Sequence, residues 1–324
     1  MKVKWIKQSN NTTYDITDFI SSVTWSGSVS QASRSLEISV AYSPLDSNIK
    51  DPGIKPGDRL KLYDDNDKLL INAMVYTRER VSEQGTITYS GYDDLNRLLK
   101  SNGTYSFKTT TPEKIVKTIC NDLKIATGTI AETKVPVKKF LADGENFYNM
   151  IMRAYTKAYQ ANGKKYMPFM YDQKLYVIEK GEVISDFSLK DDINITASNY
   201  SENIDSVINK VKIYNDKGQQ VGEVKNNDSI SLYGIFQDVY TKEDGVNATT
   251  AANNMLKGIE KSASIEAIGN ISCISGYGIK IKDSITGLTG KFWIENDTHT
   301  WENGNHTMSL ELAFKNIMDA QEDA

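Results

Sequence analysis

His299 and His306 are the residues of this chain best suited to metal or acid–base chemistry. They flank the segment 301–305, whose Asn303-Gly304 is a tight-reversal signal, so they fall on adjacent strands and can face one another. Two imidazoles make an incomplete metal site, and no third ligand or cysteine stands at a familiar spacing. The pair therefore reads as exposed histidines on a β surface. Gly276-Tyr277-Gly278 resembles the start of a dinucleotide loop, but Ile281 stands where the third glycine is needed. A strand pattern follows instead of a phosphate-binding helix N-terminus, which excludes that reading. The carboxylate pairs Asp64/Asp65, Asp93/Asp94 and Asp191/Asp192 lie in turns or at element ends, where turn chemistry accounts for them. No catalytic, cofactor-binding or metal-binding residue is assigned.

The elements around these residues are mostly strands. From Gly269 to Phe314, period-two alternation is broken by Gly, Asn and Asp, which predicts a meander of four short strands. Residues 3–100 follow the same rule. Leu36, Ile38 and Val40 alternate cleanly, a polar loop covers Ser43 to Lys55, and Tyr92 to Lys100 ends the segment as a short helix. Residues 101–200 change character. Thr111-Pro112-Glu113 is a helix start carrying the stripe Ile115, Val116, Ile119 and Leu123. A second helix spans about 145–160 and stops at Gly163, and a hairpin turns at Asp172-Gln173. Residues 201–324 return to strands, including Ile230 to Tyr233, with one helix from Asn247 to Lys261.

Composition bounds the rest. The 324 residues are 39% hydrophobic and 25% charged, which excludes a disordered chain. The net charge of −4 argues against a nucleic-acid binder. Residues 102–180 hold 13 Lys/Arg against 7 Asp/Glu, so the basic charge is local. Cys120 and Cys273 suggest no disulfide framework. The first residues lack the apolar core of a secretion signal, and no apolar run reaches a membrane span.

The meander has a weaker copy near the N-terminus. Gly57 with Arg59 to Asp64 parallels Gly278 with Ile279 to Asp283. Ala73 to Arg78 parallels Phe292 to Asp297, and Thr86 to Tyr89 parallels Thr307 to Leu310. A near-constant offset over three strands points to a duplicated β domain. Two like domains per chain let three chains imitate a sixfold ring. Trp293 alternates out of phase with Phe292 and Ile294, so one of the two faces meets something besides the domain's own core. Trp293, Glu295, Tyr76 and Arg78 are the candidate oligomer interface.

The order of features resembles a known family. KPGDRLKLYD is followed by a GYDDLNRLL helix, a TPEKIVKTICNDLKI helix and a YMPFMYDQKLYVIEKG hairpin. YGIFQDVY and GLTGKFWIENDTHTWENGNHTMSLEL complete it. This order resembles the baseplate hub proteins of contractile phage tails and phage-tail-like bacteriocins, the late-control-D-like group, as found in prophages and tailocins of Gram-positive bacteria. The resemblance covers nearly the whole chain. It implies an α+β, mostly β fold: two similar tube-like β-barrel domains, 1–100 and 201–324, flanking a small α+β domain, 101–200. It also implies a non-enzymatic homotrimer, assembled in the bacterial cytoplasm and then part of the particle. This trimer would join the hexameric tail tube protein to the trimeric central spike protein. Other baseplate proteins, and the tape measure protein, would be neighbours, with no membrane and no specific nucleic acid. No segment is spare for a hydrolase module. A carbohydrate-binding or cell-wall-degrading tail protein is the alternative. The basic region prompts a third reading, a DNA-associated barrel, whose signature is salt-sensitive retention on DNA.

Overall fold

The computed structural model describes residues 1–31, 33–46, 49–80, 85–243 and 245–321. Positions 47 and 48 of the expected polar loop lie outside them. The chain divides into two compact units, 1–198 with 264–324, and 199–263.

The larger unit begins with seven strands: β1 (Lys2–Lys7), β2 (Thr12–Asp15), β3 (Ile20–Ser28), β4 (Ser35–Ala41), β5 (Arg59–Tyr63), β6 (Leu69–Arg80) and β7 (Thr86–Tyr92). Their sheet order is β3-β4-β7-β6-β5-β1-β2. Alternation decides which face is buried. Leu36, Ile38 and Val40 of β4 and Ile87 and Tyr89 of β7 are inaccessible, and they pack with Val3, Leu60, Leu62 and Ala73. Asp58 fixes the entry to β5: its carboxylate accepts Trp5 Nε1 and the Lys55 N–H at 3.0 Å and the Gln8 N–H at 2.9 Å.

An α+β segment follows. It comprises α1 (Leu95–Lys100), β8 (Asn102–Thr110), α2 (Pro112–Asp122), β9 (Ala126–Ile130), β10 (Val137–Asn146), α3 (Phe147–Asn162), β11 (Tyr166–Tyr171) and β12 (Lys174–Glu179). Pro112 opens α2 as expected, and Gly163 ends α3 at φ 73°, the left-handed conformation that a glycine adopts without strain. The apolar stripe of α2 joins Met150, Ile151, Ala154 and Tyr155 of α3, with Phe140, Leu175 and Val177, in one core.

β13 (Val183–Lys190) and β14 (Ile195–Asn203) lead to the smaller unit. There β15 (Lys210–Tyr214) pairs with β16 (Gln220–Lys225) and β17 (Gln237–Thr241). α4 (Asn227–Tyr233) corrects the strand expected over Ile230 to Tyr233. Asn226 caps it by accepting the Ser229 N–H, and Gly234 closes it, so local capping overrides the β-rich composition. α5 (Ala248–Met255) is shorter than the helix expected to reach Lys261, although Asn247 caps it as expected. The chain is extended again from Glu260. Val211, Ile213, Val224 and Ala252 form this unit's core.

β18 (Glu260–Ile268), β19 (Gly278–Lys282), β20 (Thr289–Glu302) and β21 (Asn305–Ala313) complete the chain. The expected four-strand meander has three strands, because Ile271 to Ser275 forms turns. The sheet order is β14-β18-β21-β20, with β19 beside β20 and β13 beside β19. This repeats the order β3-β4-β7-β6-β5. Leu60 pairs Ala73 where Ile279 pairs Phe292, a constant spacing of 219 residues. Gly91 pairs Val75 where Leu312 pairs Ile294, and a bulge follows in both, at Tyr76 and at Glu295. The first glycines align differently from the sequence expectation. Gly57 and Gly276 are equivalent: each donates its N–H to the partner strand, to Val75 and Ile294 respectively, at φ 94° and 95°.

The protein is therefore mostly β, with two similar β halves and an α+β middle. The hydrogen-bonded path runs open from β14 to β2, and among the described residues no pairing closes either half into a barrel. The compact units are cut differently from the division at 100 and 200. Residues 264–324 belong with the N-terminal strands because β20 hydrogen-bonds β3, and 199–263 is inserted between the two strands that correspond to β3 and β4.

Candidate functional site

The two histidines face one another, His299 Nδ1 to His306 Nε2 at 3.1 Å. His299 Nε2 lies 3.0 Å from the Cys273 carbonyl, which accepts its proton. The lowered pKa of both rings favours their neutral forms, in which His299 Nδ1 accepts and the His306 Nε2–H donates to it. His299 is inaccessible, a correction to the exposed pair expected. It is buried because β20 lies between β21 and β3, which places the ring against Trp25 at 5.1 Å. Trp301 stacks on His306 at 4.1 Å. Burial lowers the pKa of His299, and burial followed by the His299 ring pushes His306 down to about 4. The pair is a packed polar element between strands. Among the described residues no three His, Cys, Asp or Glu groups converge as a metal set would.

The carboxylate pairs do structural work. Asp93 accepts Ser33 Oγ at 2.8 Å and the Leu95 N–H at 3.0 Å, and burial raises its pKa to about 6. Asp94 is buried against Arg59 in an ion pair. Asp64 accepts the N–H groups of Asn66 and Lys68, which makes its turn. An apolar cavity of about 170 Å³ lies in the larger unit, lined by Trp25, Leu70, Tyr148, Met167, Phe169 and Tyr277. Among the described residues no carboxylate lines it, and glycoside cleavage requires two opposed acids. Cys120 and Cys273 are buried, and burial pushes both thiols up to about 12.

The most elaborate contact outside the cores is the seam between the two β halves. Asn296, Asp297, Thr298 and His299 of β20 pair with Ser28, Gly27, Ser26 and Trp25 of β3. Arg34 reaches across it to Asp297, and its guanidinium lies 4.1 Å over the Trp25 ring. Sequence reasoning missed this seam, because nothing local marks a pairing between residues so far apart.

Of the four candidate interface residues, Tyr76 and Glu295 are equivalent, each at the bulge of its long strand. Tyr76 is exposed at the β6 bulge and meets Tyr92 edge-on at 5.5 Å. Arg78 is half-buried and pairs with Asp51. At the β20 bulge the backbone carbonyl of Glu295 accepts the Val29 N–H at 2.9 Å, which places this stretch of backbone in the seam within the chain. Trp293 is partly buried on its own sheet, where it covers Gly278 and stacks with Lys291 at 5.2 Å. No helix among the described residues is long and apolar enough to cross a membrane.

A family model described as YQBQ-like matches residues 23–313. The chain is 29% identical to the uncharacterized protein YqbQ of Bacillus subtilis over 81% of this chain and 83% of that one. It is 25% identical to the phage-like element PBSX protein XkdQ of the same organism, over 92% and 93%. Among solved structures, a 43 kDa tail protein of prophage MuSo2 from Shewanella oneidensis matches with a TM-score of 0.74. The identity is 14%, and the match covers 99% of this chain and 100% of that one. An E. coli component of the type VI secretion system, described as similar to T4 tail proteins gp27 and gp5, matches with a TM-score of 0.55. The identity is 9%, over 94% and 76%. At these identities the structural matches show the fold.

Proposed function

The chain belongs to the YQBQ-like family, and from that premise we propose that it is a structural component of a phage-type tail, acting as the hub of its baseplate. The carrying observation is the internal repeat: β5-β6-β7 and β19-β20-β21 share one register, down to the bulges at Tyr76 and Glu295. A chain with two equivalent β halves can offer six equivalent positions from three copies, which suits a part that meets a sixfold tube on one side and a threefold spike on the other. The match to a phage-like element protein and the shared fold of a prophage tail protein support the same reading. On it the protein is a homotrimer, assembled in the bacterial cytoplasm and carried in the tail or tailocin particle. Its partners are the tail tube protein, the central spike protein, other baseplate proteins and the tape measure protein. It performs no catalysis and engages neither membrane nor specific nucleic acid.

Light scattering of the purified protein, with negative-stain class averages, tests this. Trimers forming open-centred rings with pseudo-sixfold symmetry are expected. A stable monomer at micromolar concentration, or clearing of purified cell walls, would count against the hub.

A further inference from the structure

The repeat leaves two strand edges open. β20 uses its segment beyond the bulge to pair β3. The corresponding segment of β6, Thr77 to Arg80, has β7 on one side, and no backbone hydrogen bond engages its other side among the described residues. β14, the counterpart of β3, has one neighbour in the sheet order among the described residues, β18. Its correspondence with β3 is set by side chains: Ser26 Oγ meets Ser35 Oγ at 2.7 Å, and Ser201 Oγ meets Ser262 Oγ at 2.8 Å. The alignment of β4 with β18 agrees, since Tyr42 N–H donates to Gly85 and Gly269 N–H donates to His306, with the same spacing of 227 residues as Ser35 to Ser262.

We infer that β6 of one copy pairs antiparallel with β14 of the next, with Thr77, Arg78, Glu79 and Arg80 opposite Asn203, Glu202, Ser201 and Tyr200. This rests on the ring reading above and gives that ring its second kind of seam. The register is that of β20 on β3, carried over position by position. Val29 N–H donates to Glu295 at the closed seam, so the Ile204 N–H is directed to the Tyr76 carbonyl at the open one.

Exposure separates the two seams. Val29 and Trp25 are 6% and 3% exposed, and Asp297 is 1% exposed. At the open seam Ile204 is 37% and Tyr76 39% exposed, and Thr77, Glu79, Ser201, Glu202 and Asn203 are exposed. A row of unpaired backbone groups beside apolar side chains is an edge that a second strand covers. Charge favours this partner. Arg78 and Arg80 lie on β6, and Glu202 takes the place of Gly27, directly across from Arg78. Where the closed seam has its acid on the long strand, at Asp297, the open seam has a base there. Exchanging the strands between seams would bring like charges together, so the two seams are not interchangeable. In the single chain Arg78 is held by Asp51, and Glu202 by Lys261 at 3.0 Å.

The test is a disulfide trap in the full chain with Glu79→Cys and Ser201→Cys, exposed positions that the ladder places opposite each other. Mild oxidation should give a covalent trimer on denaturing gels that reductant reverses, with neither single variant doing so. In parallel, Arg78→Glu and Glu202→Arg should each weaken the trimer at least about tenfold, and the two together should restore it. A wild-type trimer that gives no covalent trimer and ignores both charge reversals overturns this seam while leaving the hub reading standing. An internal disulfide in a monomer also overturns the seam. A wild-type chain that stays monomeric overturns both.

Discussion

Arg34 and Asp297 form a two-pronged ion pair across the seam between the β halves, Nη1 to Oδ1 at 3.0 Å and Nη2 to Oδ2 at 2.5 Å. Asp297 is buried and also accepts the Ser275 N–H at 2.6 Å. Gly27 makes the geometry available, since a Cβ there would lie 2.2 Å from Arg34 Nη1.

Removing one partner strands the other. Arg34→Ala leaves a buried carboxylate with only a backbone donor, and the expected loss of stability is about 3 kcal/mol in urea unfolding. Arg34→Ala with Asp297→Leu should cost less than Arg34→Ala alone, because no uncompensated charge remains. If the double variant is the less stable, the pair matters through something other than its charge.

Asp58 is predicted to be the next most sensitive polar site. Asp58→Ala deprives Trp5 Nε1 and two backbone N–H groups of their acceptor. A loss of about 2 kcal/mol is expected, with Asp58→Asn intermediate because it keeps one acceptor oxygen. Tryptophan fluorescence during denaturant unfolding measures both.

Two glycines should separate strain from collision. Gly57 has φ 94° with open space around it, so Gly57→Ala should cost about 1 kcal/mol from backbone strain alone. At Gly91 a Cβ would lie 2.2 Å from the Met74 carbonyl oxygen, and the strands must part. Gly91→Ala should cost about 3 kcal/mol, seen as a lower thermal midpoint than that of Gly57→Ala.

Acid should weaken the fold through the histidines. In the unfolded chain their rings titrate near 6.5, whereas in the folded chain His306 titrates at about 4 and His299 below its ordinary value. The unfolded state therefore binds more protons in this window. Stability is full above about pH 6.5 and falls as pH drops toward 4, by up to about 1.4 kcal/mol per unit per group. Asp93, held up at about 6, opposes this over part of the range. His306→Gln keeps a donor for His299 and removes one titration, so its stability should vary less with pH than the wild type's. An unchanged profile would remove His306 from the account.

Much of this protein is written locally. Alternation set the buried faces of β4, β7 and β21, and Pro112, Gly163 and Asn247 marked helix ends, although Thr111 makes no side-chain cap bond, because period-two burial and helix-end preferences depend on a few neighbouring residues. The repeat was legible for the same reason, in the strands around Tyr76 and Glu295. Its glycine alignment was not, since only the hydrogen bonds of Gly57 and Gly276 fix the equivalence. The four-residue strand pattern at Ile230 lost to the caps on either side of it. Tertiary structure alone decided that His299 is buried, that 199–263 is an insertion, and that β20 pairs β3. A strand edge offers the same N–H and C=O groups whatever its side chains, so the sequence can declare a strand without naming its distant partner.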